Sequence, residues 1–288
     1  MKAPSFEYYR PESLDEVLTL VGRFGDDAQI LAGGQSLVPM MNMRLASPGA
    51  LIDINRVAEL QGIEDRGDIV RIGALTRYFE IAESDLLRKH VPLLPLAVPL
   101  VAHVAVRNRG TLGGSVCLSD PAGEMPACCV ALGATMVLAG RDGTRNVAAE
   151  HFSTGLYATA RKPDEILVEV LFPKAKPNDR QFIQEFSRRR GDFAIVGIAG
   201  KFELNKRVIS APRLVFFGCG SHSALAERTA EALEGTVWNS DLSAAVAKAL
   251  AEDLDPIDSI HASARYRHKT ARVLLRRALD HAVTEGSR

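Results

Sequence analysis

A pair of glycines follows an apolar stretch in the segment LAGGQSLVPM, residues 31–40. Gly33 and Gly34 are followed by the polar Gln35 and Ser36. Glycine has no Cβ and readily adopts positive φ, so consecutive backbone N–H groups in such a segment can approach an anion closely. The segment is therefore a candidate binding site for a phosphate or diphosphate, and a tight turn is the alternative.

A second segment, RNRGTLGGSVCLSDPAGEMP, residues 107–126, has the same character, with small polar side chains after Gly110, Gly113 and Gly114. Neither segment matches G-x-G-x-x-G or is followed by G-K-[ST], which disfavours a Rossmann dinucleotide site and a P-loop. Each segment alone could be a turn. Together they suggest two loops that contact one elongated ligand with a diphosphate in its middle.

The elements around these segments alternate between helix and strand. Ser13 and Glu16 form an S-x-x-E capping pattern that predicts a helix from Leu14 to Phe24. A buried strand over residues 28–31 leads into the first glycine pair, and four more segments have the β-branched, alternating character of strands: residues 50–54, 68–74, 134–140 and 165–173. Two apolar segments, residues 93–105 and 124–134, are predicted helices.

A proline-rich, charged break at residues 172–181 separates these elements from a second group. Three consecutive strands are predicted within residues 182–219, and three helices follow within residues 225–282. The sequence therefore predicts an α+β protein with a first domain over residues 1–177 and a smaller one, a three-stranded sheet with helices, over residues 178–288.

Composition narrows the class of function. The 288 residues are 47% hydrophobic, and 35 basic residues balance 35 acidic ones, which gives no support to a nucleic-acid or membrane-surface binder. No segment has the roughly 20 apolar residues of a membrane span, and the N-terminus has no signal-peptide pattern, so we expect a cytoplasmic location. The basic segment 265–277 is the best nucleic-acid candidate, but its spacing favours a solvated helix or a subunit contact.

Cysteine and histidine spacing gives no metal site. The four cysteines lack C-x-x-C spacing, and we interpret them as small buried hydrophobic residues. The seven histidines show no H-E-x-x-H pattern, and His103 is predicted to lie in a helix. No G-x-S-x-G motif supports acyl transfer. The sequence thus offers no catalytic acid, base or nucleophile and no metal ligand.

The two glycine segments, with their flanks AGGQSLVPMMNMRLASPGALIDINRV and VRNRGTLGGSVCLSDPAGEMPACCVALGATMVL, resemble the flavin-binding signatures of the FAD-carrying medium subunit of molybdenum hydroxylases. That family includes carbon monoxide dehydrogenase, xanthine dehydrogenase and hydroxylases of N-heteroaromatic compounds such as quinoline. The resemblance covers essentially the whole chain. It implies a two-part FAD-binding domain of the PCMH type, followed by a smaller C-terminal domain.

The resemblance also implies which residues bind FAD. The first segment would contact the diphosphate through the main chain of Ala32, Gly33, Gly34, Gln35 and Ser36, with Gln35 where many relatives have histidine or asparagine. The second would contact the diphosphate and ribityl region through Thr111, Gly113, Gly114 and Ser115, with Ser115 where asparagine or aspartate is common.

Four further residues are implied as FAD ligands by their match to the family. Glu124 would lie near the adenosine ribose, and Leu167 would pack on the flavin ring. Asp192 and Phe193, in the segment RRRGDFA, would reach the ring from the C-terminal domain. For Leu167 and Phe193 the alternative is a core side chain, and for Asp192 it is a turn residue.

Two iron–sulfur clusters of the two-iron type need eight cysteine ligands, and this chain has four. The resemblance therefore implies an iron–sulfur small subunit and a molybdenum-cofactor large subunit as partners, in a dimer of heterotrimers that acts on a quinoline-like substrate. FAD in this chain would accept electrons from the clusters and pass them to an acceptor. A free-standing FAD-dependent oxidase or dehydrogenase and a flavin-free interaction module are the alternatives.

Overall fold

The structure is a computed structural model, and it describes residues 2–284. The chain begins with a small three-stranded parallel sheet in the order β1-β3-β2. Its elements are β1 (Glu7–Tyr9), α1 (Leu14–Phe24), β2 (Ala28–Leu31), α2 (Leu37–Asn42) and β3 (Ala50–Asp53).

Helix α1 has the predicted bounds. The Ser13 hydroxyl accepts a hydrogen bond from the Glu16 N–H at 3.3 Å, and Gly25 ends the helix with a φ of +54°. Val17 and Val21, four residues apart, are buried against the sheet. The helix thereby covers one face of the small sheet from which the first glycine segment emerges.

The next region consists of six short helices and a five-stranded antiparallel sheet. The helices are α3 (Tyr78–Glu83), α4 (Asp85–His90), α5 (Leu93–Ala97), α6 (Val104–Arg107), α7 (Leu112–Leu118) and α8 (Glu124–Leu132). The strands are β4 (Ile63–Arg66), β5 (Ile69–Gly73), β6 (Thr135–Gly140), β7 (Gly143–Ala148), the short pair β8 (Ser153–Gly155) and β9 (Ala158–Thr159), and β10 (Ile166–Pro173). The sheet order is β4-β5-β10-β6-β7, and β8 pairs with β9 in a separate two-stranded sheet.

The prediction of one helix over residues 93–105 is wrong. The segment forms α5 and, after a break, α6. Ala102 adopts a φ of +41°, and the Arg107 side chain donates hydrogen bonds to the Val101 and Ala102 carbonyls, which helical bonding would otherwise use. His103 is therefore not a helix residue: it is exposed and extended, directly before α6.

The C-terminal region is a sheet covered by three helices. Its elements are β11 (Asp179–Phe186), β12 (Val196–Asn205), β13 (Val208–Phe217), β14 (Ala224–Leu225), α9 (Glu227–Leu233), α10 (Ala244–Asp253) and α11 (Ala264–Thr284). The three predicted strands are confirmed as β11 to β13, and the two-residue β14 adds a fourth. The predicted boundary at residue 177 lies in the connection between β10 and β11, and it stays a prediction.

This sheet packs on both of its faces. Ile198 and Phe216 belong to the core formed with α9, α10 and α11. Ala199 and Phe217, one residue further along, point to the opposite face and join the core of the preceding region, as period-two alternation requires. Ile183 of β11 packs on that same side, so β11 borders the junction between the two regions.

Helix α11 contains the basic segment 265–277. Leu274 is buried as expected for the packed face, whereas Val273 is 42% exposed. Arg267 is not solvated: it is 6% exposed and donates to the carbonyls of Ile195 and Gly218. In residues 2–284 no helix has the length and apolar character needed to cross a membrane.

Candidate functional site

The first glycine segment, residues 32–36, connects the end of β2 to the start of α2. Gly34 adopts a φ of +70°, in the left-handed region that glycine enters at little cost. The backbone N–H groups of Gly33, Gly34, Gln35 and Ser36 donate to no acceptor within residues 2–284. The Gln35 side chain folds back, with Nε2 donating to the Gly33 carbonyl at 3.0 Å, so four consecutive main-chain donors are left for a ligand.

The second glycine segment uses most of its N–H groups internally. Gly113 N–H donates to the Ala74 carbonyl at 2.8 Å, and Ser115 N–H donates to the Thr111 carbonyl at 3.2 Å. The Thr111 hydroxyl caps α7 by accepting from Gly114 N–H at 3.1 Å. The expectation that these glycines supply positive φ is wrong here, because neither Gly113 nor Gly114 adopts it.

Close packing explains why glycine is needed at two of these positions. A Cβ on Gly33 would lie 2.3 Å from the Arg109 carbonyl oxygen, and one on Gly113 would lie 2.7 Å from the Ala74 carbonyl oxygen. Both contacts are with backbone, which cannot move aside as a flexible side chain can. Gly33 is thus where the first loop touches the second, and the two predicted loops do form one surface.

Three side chains outside the glycine motifs, those of Asp53, Asn55 and Arg77, form a hydrogen-bonded group that contacts both loops. Asn55 Nδ2 donates to the Ala32 carbonyl at 2.8 Å and to Asp53 Oδ1 at 2.6 Å. Arg77 donates from Nη2 to Asn55 Oδ1 and from Nη1 to the Arg109 carbonyl. A detectable sequence signal existed for two of them, because Asp53 and Asn55 are polar residues at the end of the buried strand β3.

The charged side chains near the loops favour the binding of an anion. Burial and repulsion from the Arg109 guanidinium lower the pKa of Arg77. Within residues 2–284 neither arginine forms a salt bridge with a carboxylate. Asp53, 6% exposed, pairs instead with Arg10 at 3.6 Å. Glu80 and Asp53 act on Arg77 from beyond salt-bridge distance, and the two arginines would still attract a diphosphate bound at the loops.

A buried acid, Glu124, and a half-buried acid, Glu185, lie at the junction between the two regions. Glu124, the first residue of α8, is 8% exposed, and burial raises its pKa to about 7, with a further contribution from Asp120. Burial, with repulsion from Glu124, raises the pKa of Glu185 on β11 to about 8. Glu185 Oε2 is closed to solvent and has no hydrogen-bond partner in the described chain. Burial also raises the pKa of Tyr78, whose hydroxyl is hydrogen-bonded with Ser115.

The remaining predicted residues occupy different environments. Leu167 is 2% exposed and belongs to the core of the second region, which favours the core alternative for its side chain. Asp192 and Phe193 lie in the exposed connection between β11 and β12, and Phe193 is 71% exposed, which excludes the core alternative for it. A Cβ on the neighbouring Gly191 would lie 2.6 Å from the Ala102 carbonyl oxygen, so this connection packs against the segment before α6.

The glycine loops offer main-chain donors and positive charge, and Phe193, in the separate connection that packs against the segment before α6, offers an exposed aromatic ring. These are the groups that bind an anionic cofactor with a flat ring system. Among the described residues, no group of three or more His, Cys, Asp or Glu side chains is placed to hold a metal ion. The four thiols are free, and Cys128, Cys129 and Cys219 are buried.

Two family models cover nearly the whole chain. Residues 4–175 match the FAD binding domain in molybdopterin dehydrogenase, and residues 181–282 match the CO dehydrogenase flavoprotein C-terminal domain. Subunit alpha of the 6-hydroxypseudooxynicotine dehydrogenase complex of Paenarthrobacter nicotinovorans is 36% identical over 284 residues, which are 98% of this chain and 96% of that protein.

Two solved structures are similar over their full length. One is carbon monoxide dehydrogenase from Hydrogenophaga pseudoflava, in a form lacking the Mo-pyranopterin moiety of its molybdenum cofactor, with 36% identity, a TM-score of 0.95, and 98% and 99% of the two chains covered. The other is quinoline 2-oxidoreductase from Pseudomonas putida 86, with 36% identity, a TM-score of 0.94 and all of both chains covered.

Proposed function

Because the chain belongs to the FAD-binding medium subunits of molybdenum hydroxylases, which are oxidoreductases, we propose that it relays electrons between a partner subunit and an external acceptor. Bound FAD would supply the redox chemistry, the uptake of electrons from an iron–sulfur cluster and their later release. This chain's residues bind that cofactor, orient it and limit its contact with water. None of them acts as acid, base or nucleophile toward the organic substrate.

The observation that carries the proposal is the row of four free N–H groups at residues 33–36, packed directly against the second loop. Such donors match the oxygens of a diphosphate, and the positive charges of Arg77 and Arg109, which form no salt bridge within residues 2–284, add attraction. The residues present therefore fit the cofactor that the family implies.

Within this site we assign most of the main-chain binding to the first loop. Ala32 to Ser36 would hold the diphosphate, while Thr111, Gly113, Gly114 and Ser115 would shape the opposite wall, since their N–H groups are largely used within the chain. Glu124 would contact sugar hydroxyls, and Asp192 and Phe193 would approach the ring from the C-terminal region. Ring packing by Leu167 stays a prediction, and its burial limits any contact to a small area.

The partner subunits would do the substrate chemistry. We propose an iron–sulfur small subunit and a molybdenum-cofactor large subunit, assembled with this chain as a dimer of heterotrimers. An N-heteroaromatic substrate is supported by two of the relatives, which are named for 6-hydroxypseudooxynicotine and quinoline. The cytoplasmic location stays a prediction.

The test is an anaerobic absorbance experiment on the flavin-loaded chain. Quinoline or a related compound should leave the flavin band of the isolated chain unchanged, because the site has no group to activate such a donor. Adding the molybdenum and iron–sulfur subunits should make the same donor bleach the band. Direct bleaching in the isolated chain would favour a free-standing flavin enzyme, and a chain that takes up no FAD would favour a flavin-free interaction module.

A further inference from the structure

Two side chains, Asn55 and Arg77, join the two glycine loops through hydrogen bonds to loop carbonyl groups. Asn55 binds the first loop at the Ala32 carbonyl, Arg77 binds the second at the Arg109 carbonyl, and the two side chains bind each other. We call this pair the Asn55–Arg77 clamp. The clamp adds hydrogen bonds between the loops to the direct packing of Gly33 against the Arg109 carbonyl.

The clamp is itself held in place. Asp53 Oδ1 accepts from both the backbone N–H of Asn55 at 3.0 Å and its Nδ2 at 2.6 Å. The Tyr8 hydroxyl donates to Asp53 Oδ2 at 2.5 Å. Burial alone would raise the pKa of Asp53, but these hydrogen bonds from Tyr8 and Asn55 keep it below its usual value, so Asp53 is ionised at neutral pH. The Asn55 amide therefore has one fixed orientation.

The clamp binds those backbone atoms of the loops that an anionic ligand would not use. The clamp takes only carbonyl oxygens from the loops, and it leaves free the N–H groups of residues 33–36 that a ligand needs. It also brings a half-buried guanidinium, which forms no salt bridge within residues 2–284, close to the loops. An arginine can reach two separated acceptors at once through its planar fork, whereas a lysine carries its donors on one compact ammonium group.

We propose that Asn55 and Arg77 are positioning residues that hold the two glycine loops in the arrangement that binds the diphosphate of FAD. The proposal rests on the proposed function, because it concerns how the same site is preformed. Preorganisation of this kind improves affinity by removing the cost of ordering the loops upon binding. Loss of either side chain should therefore weaken binding even though neither uses the ligand-facing N–H groups.

The experiment measures the Kd of FAD for the full chain by quenching of flavin fluorescence. Arg77→Met and Asn55→Leu remove the clamp with little change in side-chain size, and Arg77→Lys keeps the charge but not the fork. Arg66→Met is the matched control, since Arg66 pairs with Glu64 and Glu169 on β4 and β10, outside the clamp. Thermal unfolding of each flavin-free variant shows whether it is folded at the temperature of the titration.

We expect Arg77→Met and Asn55→Leu each to raise the Kd by about 10- to 100-fold, which corresponds to about 1.4 kcal/mol per tenfold. The double variant should be little worse than either single one, because one break already separates the first loop from the second. Arg77→Lys should recover only part of the affinity, and Arg66→Met should bind like the parent.

Three results would overturn the clamp. Unchanged Kd in both single variants would show that the loops need no support. Additive losses in the double variant would show that the two side chains act separately, as they would in a merely structural role. Full recovery by Arg77→Lys would show that only charge matters. Failure of the parent chain to bind FAD would instead refute the proposed function, so the two failures are distinguishable.

Discussion

Replacing Glu185 with Gln should stabilise the flavin-free protein in alkaline solution but have little effect in acid. In the folded chain, burial and repulsion from Glu124 raise the pKa of Glu185 from 4.5 to about 8. Between these values the unfolded chain has lost the proton while the folded chain retains it, so the free energy of unfolding falls as the pH rises. Glutamine keeps the shape of the protonated acid and cannot ionise.

The size of this stability change follows from the two pKa values, 4.5 in the unfolded chain and about 8 in the folded chain. Each pH unit between them corresponds to about 1.36 kcal/mol, which gives nearly 5 kcal/mol for a carboxyl fully removed from water. Glu185 as a whole is only half-buried, although its Oε2 is closed to solvent, and solvent screening reduces the effect. We expect Glu185→Gln to increase the free energy of unfolding by about 1 to 2 kcal/mol at pH 9, and by much less at pH 5.

The assay is urea unfolding of parent and variant at both pH values, with Glu231→Gln on the exposed side of α9 as the matched control. The groups facing Glu185 across the junction are acids: Glu124, with Tyr78 and Asp120 around it. None of them supplies a compensating cation. A Glu185→Gln effect that is equal at pH 5 and pH 9, or no larger than that of Glu231→Gln, would refute the reasoning.

Two further predictions concern the loops and the metals. Gly33→Ala should raise the Kd of FAD by at least about tenfold, because its Cβ would lie 2.3 Å from the Arg109 carbonyl oxygen. The control Gly155→Ala, whose Cβ would have no neighbour closer than 4.0 Å, should bind FAD normally. Equal affinities of the two variants would contradict the packing argument. The separated chain should contain no stoichiometric iron or molybdenum by mass spectrometry, since no group of potential ligands within residues 2–284 is placed to hold a metal. A content of one iron per chain would contradict this prediction.

Much of the fold could be predicted because its signals are local. The capping pattern at Ser13 fixed the start of α1, and β-branched alternation located strands such as β5 and β10 to within a residue or two. The prediction of one helix over residues 93–105 was wrong because it followed the apolar periodicity and overrode the break that Pro99 signals just after the end of α5. The Arg107 hydrogen bonds to the Val101 and Ala102 carbonyls form only after the chain has turned, and they have no local sequence pattern.

The sequence indicated the two glycine segments of the candidate site, but it did not indicate what each glycine does there or which side chains join the two segments. Glycines with the same sequence character differ in what they do: Gly34 provides positive φ, Gly33 allows contact between the loops, and Gly114 lies in the first turn of α7. Asn55 and Arg77 could not be identified as a pair, because 22 residues separate them and only the folded sheets bring them together. Glu185 likewise becomes unusual only when β11 packs against the preceding region.

These differences assign the two loops unequal roles in binding. The second loop is fixed by bonds to Ala74 and within α7, so it contributes a rigid wall. The first loop has four unsatisfied donors, and its position depends on Gly33 and on the clamp behind it. A ligand that satisfies those donors would therefore order the first loop more than the second. Substitutions behind the first loop should accordingly cost affinity, even though they lie outside the glycine motif itself.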